Sequence, residues 1–197
     1  MQDYLKAIFE LAEDGREATP KVLADRLDVT PASASDMTQR LEELDLVESE
    51  PYEGVELTGA GKLAALEVIR HHRLLELFLV ETLGIPWDEV HDEAEVLEHH
   101  ISEELEDRIA AELGHPERDP HGDPIPTREG EIPDPDGRRL DEVDEGAQVR
   151  IVRVSDQDPD VLRYLGSRGL YPGAEAVVQR AEPGAAALTV EVDGREV

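Results

Sequence analysis

The sequence predicts a mainly α-helical protein with a small β component, and three observations predict it. Two Thr-Pro pairs, Thr19-Pro20 and Thr30-Pro31, open consecutive short helical stretches separated only by Asp28-Val29-Thr30. Apolar residues then recur at helical spacing through most of residues 60–113. From residue 148 the pattern changes to short β-type runs punctuated by Gly and Pro.

Each element follows from its own residues. Tyr4, Leu5, Ile8, Phe9 and Ala12 mark a first helix by their spacing. Thr19 and Thr30 supply N-cap oxygens, and the prolines after them suit the first helical position, where the missing N–H is no loss. The second helix is expected to end at Leu27. The third is expected to reach about Leu44, with Ala34, Met37, Leu41 and Leu44 on one face. Two short helices joined by so tight a turn form a helix-turn-helix. Residues 46–49 and 55–58 read as strands around Pro51-Tyr52-Glu53-Gly54, a hairpin of the size of a wing. Residues 1–65 therefore read as a winged helix.

Residues 60–113 read as helical, and Leu63, Leu66, Ile69, Leu74, Leu77, Phe78 and Leu83 mark a long helix stopped at Gly84; residues 66–115 form the second domain. Pro86-Trp87 opens the next, with Val90, Ala94, Leu97 and Ile101 on one face, and a third runs from near Ser102 to Leu113-Gly114. Residues 115–147 hold six of the thirteen prolines and almost no apolar period, so 116–147 reads as a Pro-rich linker. Residues 148–197, with strand-like runs at 149–154, 174–179 and 187–192, read as a small SH3-like β-barrel.

Charge and composition exclude several classes. The 197 residues carry 19 Lys+Arg against 48 Asp+Glu, a formal net charge of −29. Only Lys6, Lys21 and Lys62 are lysines, and the acid is spread along the chain, a pattern of adaptation to a salt-rich cytoplasm such as that of haloarchaea. In roughly 1 M salt the Debye length is about 3 Å, so this acidity says little about partners. The absence of cysteine excludes disulfides, thiolate metal sites and Cys nucleophiles. Asp3 and Glu10 near the start, without a basic segment, argue against a signal peptide, and no run of 18 uncharged apolar residues predicts a membrane span. A cytoplasmic protein with no membrane partner is expected.

Candidate ligands gather on two helices. His72 and Glu76 are one turn apart on the long helix. On the next, at about 100° per residue, Glu98, His91, Glu95 and His99 fall beside the apolar face of Val90, Ala94, Leu97 and Ile101. Imidazoles and carboxylates so placed suit a divalent cation. On spacing alone, a solvated acidic face explains the same residues and stays open. His71, His100, His115 and His121 show no partner pattern.

Taken in order, these motifs resemble the DtxR/MntR family of metal-dependent transcriptional regulators. The resemblance rests on Asp3-Tyr4-Leu5, the helix-turn-helix with wing, His72-Arg73-Leu74-Leu75-Glu76, Val90-His91-Asp92-Glu93-Ala94-Glu95, Glu98-His99, the stretch His121-Gly122-Asp123-Pro124-Ile125-Pro126 and the SH3-like (FeoA-type) segment. It implies a homodimeric repressor that binds a double-stranded, palindromic DNA operator and controls metal homeostasis. It makes residues 66–115 the metal-binding and dimerisation domain. It places Asp3, Glu95, Glu98 and His99 at a primary metal site and His72, Glu76 and His91 at an ancillary one. From the C-terminal domain it adds Asp158 and Asp160.

Departures from the family pattern bear on the metal. Iron-responsive members carry Met and Cys where this chain has Asp3 and Glu95, and the harder carboxylates favour Mn²⁺ over Fe²⁺. Lys6 stands where short manganese-responsive members carry another acid, which argues against a closely spaced binuclear site. The helix-turn-helix directs Ser33, Ser35, Asp36, Gln39 and Arg40 towards bases and Lys21, Arg26 and Thr30 towards phosphates. Residues 1–70 carry seven cations against sixteen acids, so little affinity can come from counterion release. Two other classes compete: a winged-helix regulator answering a small organic effector, and a metalloenzyme. No HExxH motif or nucleophile constellation supports the second.

Overall fold

Thr19 and Thr30 cap the helices they were expected to open. The computed structural model describes residues 1–50, 54–133, 137–179 and 188–197. In it Thr19 Oγ1 accepts from the Val22 amide at 3.3 Å and Thr30 Oγ1 from the Ser33 amide at 3.1 Å. These caps start α2 (Pro20–Arg26) and α3 (Pro31–Glu43), which follow α1 (Gln2–Glu13). Asp28 takes the left-handed conformation, φ +50°, that makes the intervening turn tight. Strands β1 (Val47–Glu50) and β2 (Gly54–Leu57) pair antiparallel, with Val47 opposite Leu57. The turn residues 51–53 lie outside the described residues. Helix α4 (Gly59–Leu83) then begins, its Gly61 amide donating to Thr58 Oγ1 at 3.1 Å.

The chain forms two compact units. The first comprises residues 1–72 with 126–132, the second 73–125 with 133–197, and α4 runs from one into the other. The core of the first unit is aliphatic, centred on Ile8, Leu11, Leu23, Leu41 and Leu66. Leu44 does not join it. That residue follows the last turn of α3 and is 54% exposed, while Thr38 takes the buried place on the face, its hydroxyl donating to the Ser35 carbonyl at 2.9 Å.

In the second unit α5 (Val90–Leu97) and α6 (Glu103–Glu112) pack with the later turns of α4 around Leu74, Ala94, Ile109 and Ile125. Helix α5 is shorter than its apolar pattern suggests. Gly84, at φ +70°, stops α4, and a turn closed by the Glu89 amide on the Pro86 carbonyl at 3.0 Å delays α5 to Val90. At its far end Glu98 is the C-cap and a turn covers residues 98–100, so Ile101 lies beyond the helix.

The Pro-rich stretch read as a linker is packed in part. Residues 121–126 are all buried, as is Asp119, whose Oδ1 accepts from the amides of His121 and Asp123 at 2.9 Å each. Gly122, at φ +87°, presses on the backbone of the C-terminal segment. A Cβ there would stand 2.1 Å from the Val152 carbonyl oxygen.

The C-terminal sheet has the order β3 (Gln148–Arg150), β4 (Glu175–Val178), β5 (Val190–Val192), β6 (Arg195–Glu196), antiparallel throughout. The first strand ends before residue 154 because the Val154 amide turns away to the His121 carbonyl. A helix the sequence reading did not anticipate, α7 (Pro159–Ser167), precedes β4. Its start signal, Asp158-Pro159, matches the Thr-Pro pairs in kind: Asp158 Oδ1 accepts from the amides of Asp160 and Val161.

Candidate metal centre

Glu76 is fully buried on the second-unit part of α4, one turn after His72. Two imidazoles approach its carboxylate from different segments. His91, on the first turn of α5, puts Nδ1 3.3 Å from Oε1, and His121 puts Nδ1 3.6 Å from Oε2. Asp119 completes the group: Glu76, Asp119 and His121, all buried, each offer one donor atom within 4.8 Å of the others. His121 Nδ1 has no hydrogen-bond partner among the described residues, while Nε2 meets the Trp87 carbonyl at 2.9 Å.

The electrostatics of this cluster favour a cation. Burial, followed by the charges of Asp123 and Glu76, pushes the Asp119 carboxyl up to about 7, against lowering by His121 and Arg73. Burial disfavours the His121 imidazolium, but the neighbouring Glu76 carboxylate and Asp119 outweigh it and raise its pKa. Arg73 lies 3.8 Å from both Asp119 and Asp123, and Arg153 pairs with Asp123 at 2.6 Å.

The other predicted ligands of this unit lie on or just beyond α5. His91 Nε2 is 4.0 Å from Glu95 Oε1. Glu98, only 1% exposed, has Oε1 3.7 Å from His99 Nε2. In the first unit Asp3 is exposed on the first turn of α1, and Lys6, three residues on, is buried with Nζ 3.3 Å from His72 Nδ1. An ammonium can only donate, so that contact takes the His72 Nδ1 lone pair.

Asp158 and Asp160 join no ligand cluster among the described residues: the first caps α7 and the second pairs with Arg163 at 2.9 Å. Asp119 and His121 are functional candidates that the sequence reading missed. Their partner Glu76 lies on a distant helix, which spacing along the chain cannot reveal. The available signal was an acid two residues before a His-Gly-Asp turn within a stretch poor in other structure.

On α3 the predicted base-reading residues Ser33, Ser35, Asp36, Gln39 and Arg40 are all exposed, as are Lys21 and Thr30. Ser33 Oγ lies 2.9 Å from Thr30 Oγ1. Arg26 is held by an ion pair with Glu10, which ties it to α1.

Comparison with known proteins matches the chain in three consecutive parts. Residues 1–55 match the iron dependent repressor N-terminal DNA binding domain, 58–127 the iron dependent repressor metal binding and dimerisation domain, and 138–197 the FeoA domain. The iron-dependent repressor IdeR of Mycobacterium tuberculosis (strain ATCC 25618 / H37Rv) is 33% identical over 205 residues, covering 98% of this chain and 88% of the relative. A solved structure described as a manganese-dependent transcriptional repressor complex with manganese is 44% identical, with a TM-score of 0.90, covering all of this chain and 92% of that one. The structure of T. acidophilum IdeR aligns at 32% identity with a TM-score of 0.80, covering 100% of this chain and 90% of that one. With every part of the architecture matched in order, this chain belongs to the iron-dependent repressor family: it is a metal-dependent, DNA-binding transcriptional repressor and not an enzyme.

Proposed function

We propose that this repressor is a cytoplasmic homodimer that answers Mn²⁺ in preference to Fe²⁺ and holds two ions per protomer. Asp3, Glu95, Glu98 and His99 would hold the first. Glu76, His91, Asp119 and His121 would hold the second. The observation that carries the reading is the buried cluster at Glu76, where three acidic or imidazole side chains converge and His121 Nδ1 lacks a hydrogen-bond partner. Buried carboxylates are costly without compensating charge, and hard oxygen donors with imidazole suit Mn²⁺. The manganese in the neighbouring structure at 44% identity supports the same metal. Lys6 engages His72 Nδ1, which leaves Nε2 as the atom through which His72 would join Glu76 and His91 as a ligand, while Asp158 caps α7 and Asp160 pairs with Arg163.

When bound, a divalent ion supplies neutralising charge to these carboxylates. The chain's own residues supply the rest. Uncompensated, the acids Glu95 and Glu98 at the end of α5 repel one another, and the metal-free protein is expected to bind its operator weakly. Leu83, Val96, Leu97 and Leu105, apolar and exposed on the helical part of the second unit, are the surface assigned to the twofold contact. On each protomer α3 presents Ser33, Ser35, Gln39 and Arg40 to base edges, with Lys21 and Thr30 at phosphates, and a twofold dimer reads half-sites about one helical turn apart. Specific hydrogen bonds carry binding where the net charge cannot, so affinity is expected to persist in molar KCl.

Calorimetric titration of Mn²⁺ into the metal-free dimer in high KCl tests the ligand assignment. Two ions per protomer are expected, falling to one in Glu98→Gln and to one in Asp119→Ala. A stoichiometry unchanged by both substitutions refutes it.

A further inference from the structure

Trp87 holds His121 from the side away from Glu76. His121 Nε2 meets the Trp87 carbonyl oxygen at 2.9 Å, and the indole of Trp87 stacks on the imidazole with centroids 5.5 Å apart and planes 27° apart. A carbonyl only accepts, so Nε2 carries the proton and, in the neutral ring, Nδ1 keeps its lone pair facing Glu76 Oε2 at 3.6 Å. Trp87 sits in the turn between α4 and α5 that the Glu89 amide closes on the Pro86 carbonyl, which places its backbone but not its indole.

What fixes it comes from α7. The indole rests on Gly166: a Cβ at that position would lie 3.0 Å from Trp87 Nε1 and 3.5 Å from Cε2 and Cζ2. The adjacent Asp88 is gripped by Arg163, whose Nε lies 3.0 Å from its Oδ2. Arg163 and Gly166 are three residues apart on α7 and so share one face of the helix. That face belongs to the part of the chain matching the FeoA domain, while Trp87 and His121 belong to the part matching the metal binding and dimerisation domain.

We propose that Trp87 is a positioning residue that locks His121 with Nδ1 towards Glu76, and that α7 sets this position through Gly166 and Arg163. The C-terminal domain thereby governs ion affinity at the Glu76–Asp119–His121 cluster through contacts that lie behind a ligand. The inference rests on the assignment of that cluster as an ion site. Neither the tautomer nor the seating of Trp87 depends on a bound ion, so the two can fail separately.

The test uses the full chain. In metal-free protein carrying ¹⁵N-labelled histidine at about pH 8.5, His121 is expected to show one tautomer, protonated at Nε2. Gly166→Val and Trp87→Ala are expected to give a mixture, while the other histidines keep their spectra. With Mn²⁺ as the probe, Gly166→Val is expected to weaken the Asp119-dependent ion by about tenfold, the usual scale for a lost supporting contact, and to spare the Glu98-dependent ion. Arg163→Gln, a partly exposed change that leaves the core untouched, is expected to weaken the same ion by a smaller factor and covers the case in which Gly166→Val does not fold. A single tautomer retained in both Gly166→Val and Trp87→Ala overturns the proposal, as does an unchanged Mn²⁺ affinity in Arg163→Gln. If Asp119→Ala leaves Mn²⁺ binding unchanged while the tautomer responds as expected, the ion-site assignment fails and only the positioning of His121 by Trp87 stands.

Discussion

Glu98→Gln is expected to abolish the stimulation of operator binding by Mn²⁺ while leaving the dimer intact. Glu98 is 1% exposed at the C-cap of α5, beside His99. Glutamine fills the same volume, so no cavity forms and the packing of Ala94 and Val90 is kept. It removes the negative charge that makes the position a ligand for a hard cation. Couplings between two sites typically run about 5- to 150-fold, and that whole factor is expected to vanish. Fluorescence anisotropy of a labelled operator, with Mn²⁺ and with a chelator, reads the factor directly, and light scattering reads the dimer. Full metal dependence in the variant would contradict the assignment of Glu98.

The metal-free protein is expected to lose stability as pH rises from about 4 through about 7, with Asp119 responsible for much of the slope. Its carboxyl sits at about 7 in the folded chain, raised by burial and by Asp123 and Glu76 against the opposing His121 and Arg73, whereas in the unfolded chain it titrates near its ordinary value of 3.8. Between those values the folded state binds the extra proton, so stability is present at low pH and falls as pH rises. His121 adds in the same sense, because its pKa too is raised on folding and its contribution is lost as pH climbs through the folded value. The combined effect is on the order of a few kcal/mol. Asp119→Asn cannot titrate but still accepts from the His121 and Asp123 amides, so denaturant midpoints measured from pH 4 to 8 in a chelator should show a flatter profile. Mn²⁺ should offset the loss at high pH, since its ligands must be deprotonated. Identical slopes in the parent chain and Asp119→Asn would remove Asp119 from this account.

Much of the fold was legible because its signals are local. The caps at Thr19 and Thr30, the stop at Gly84 and the cap at Ser102 each act within one turn, and each holds in the structure. Helix α7 was legible by the same rule, since Asp158-Pro159 is a cap followed by proline, but its carboxylates were read as ligands. The failures are tertiary. Leu44 and Ile101 fit an apolar period and lie beyond the helices that carried it, because helix ends are set by caps and turns. Residues 121–126 have no period, yet Gly122 seats them against Val152 and Asp123 pairs with Arg153, so they pack without one.

The candidate site divides along the same line. His91 on α5 reaches Glu76 on α4 at 3.3 Å, whereas Glu98 caps α5 and His99 lies beyond it, outside the helical period that grouped them. Asp119 and His121 come from a loop, and only the folded chain brings them to Glu76. Lys6 was read as standing where a closely spaced binuclear site would need another acid. The structure adds that it is buried and turned to His72, a contact that spacing alone does not show.

On the proposal above, hard cations at buried carboxylates convert this acidic chain into an operator-binding dimer. Operator affinity measured against free Mn²⁺ and free Fe²⁺, anaerobically in molar KCl, tests it most directly. Weak binding is expected in the chelator, with a steep gain at lower free Mn²⁺ than free Fe²⁺ and loss of that gain in Glu98→Gln. Operator affinity that is the same with and without metal would contradict it.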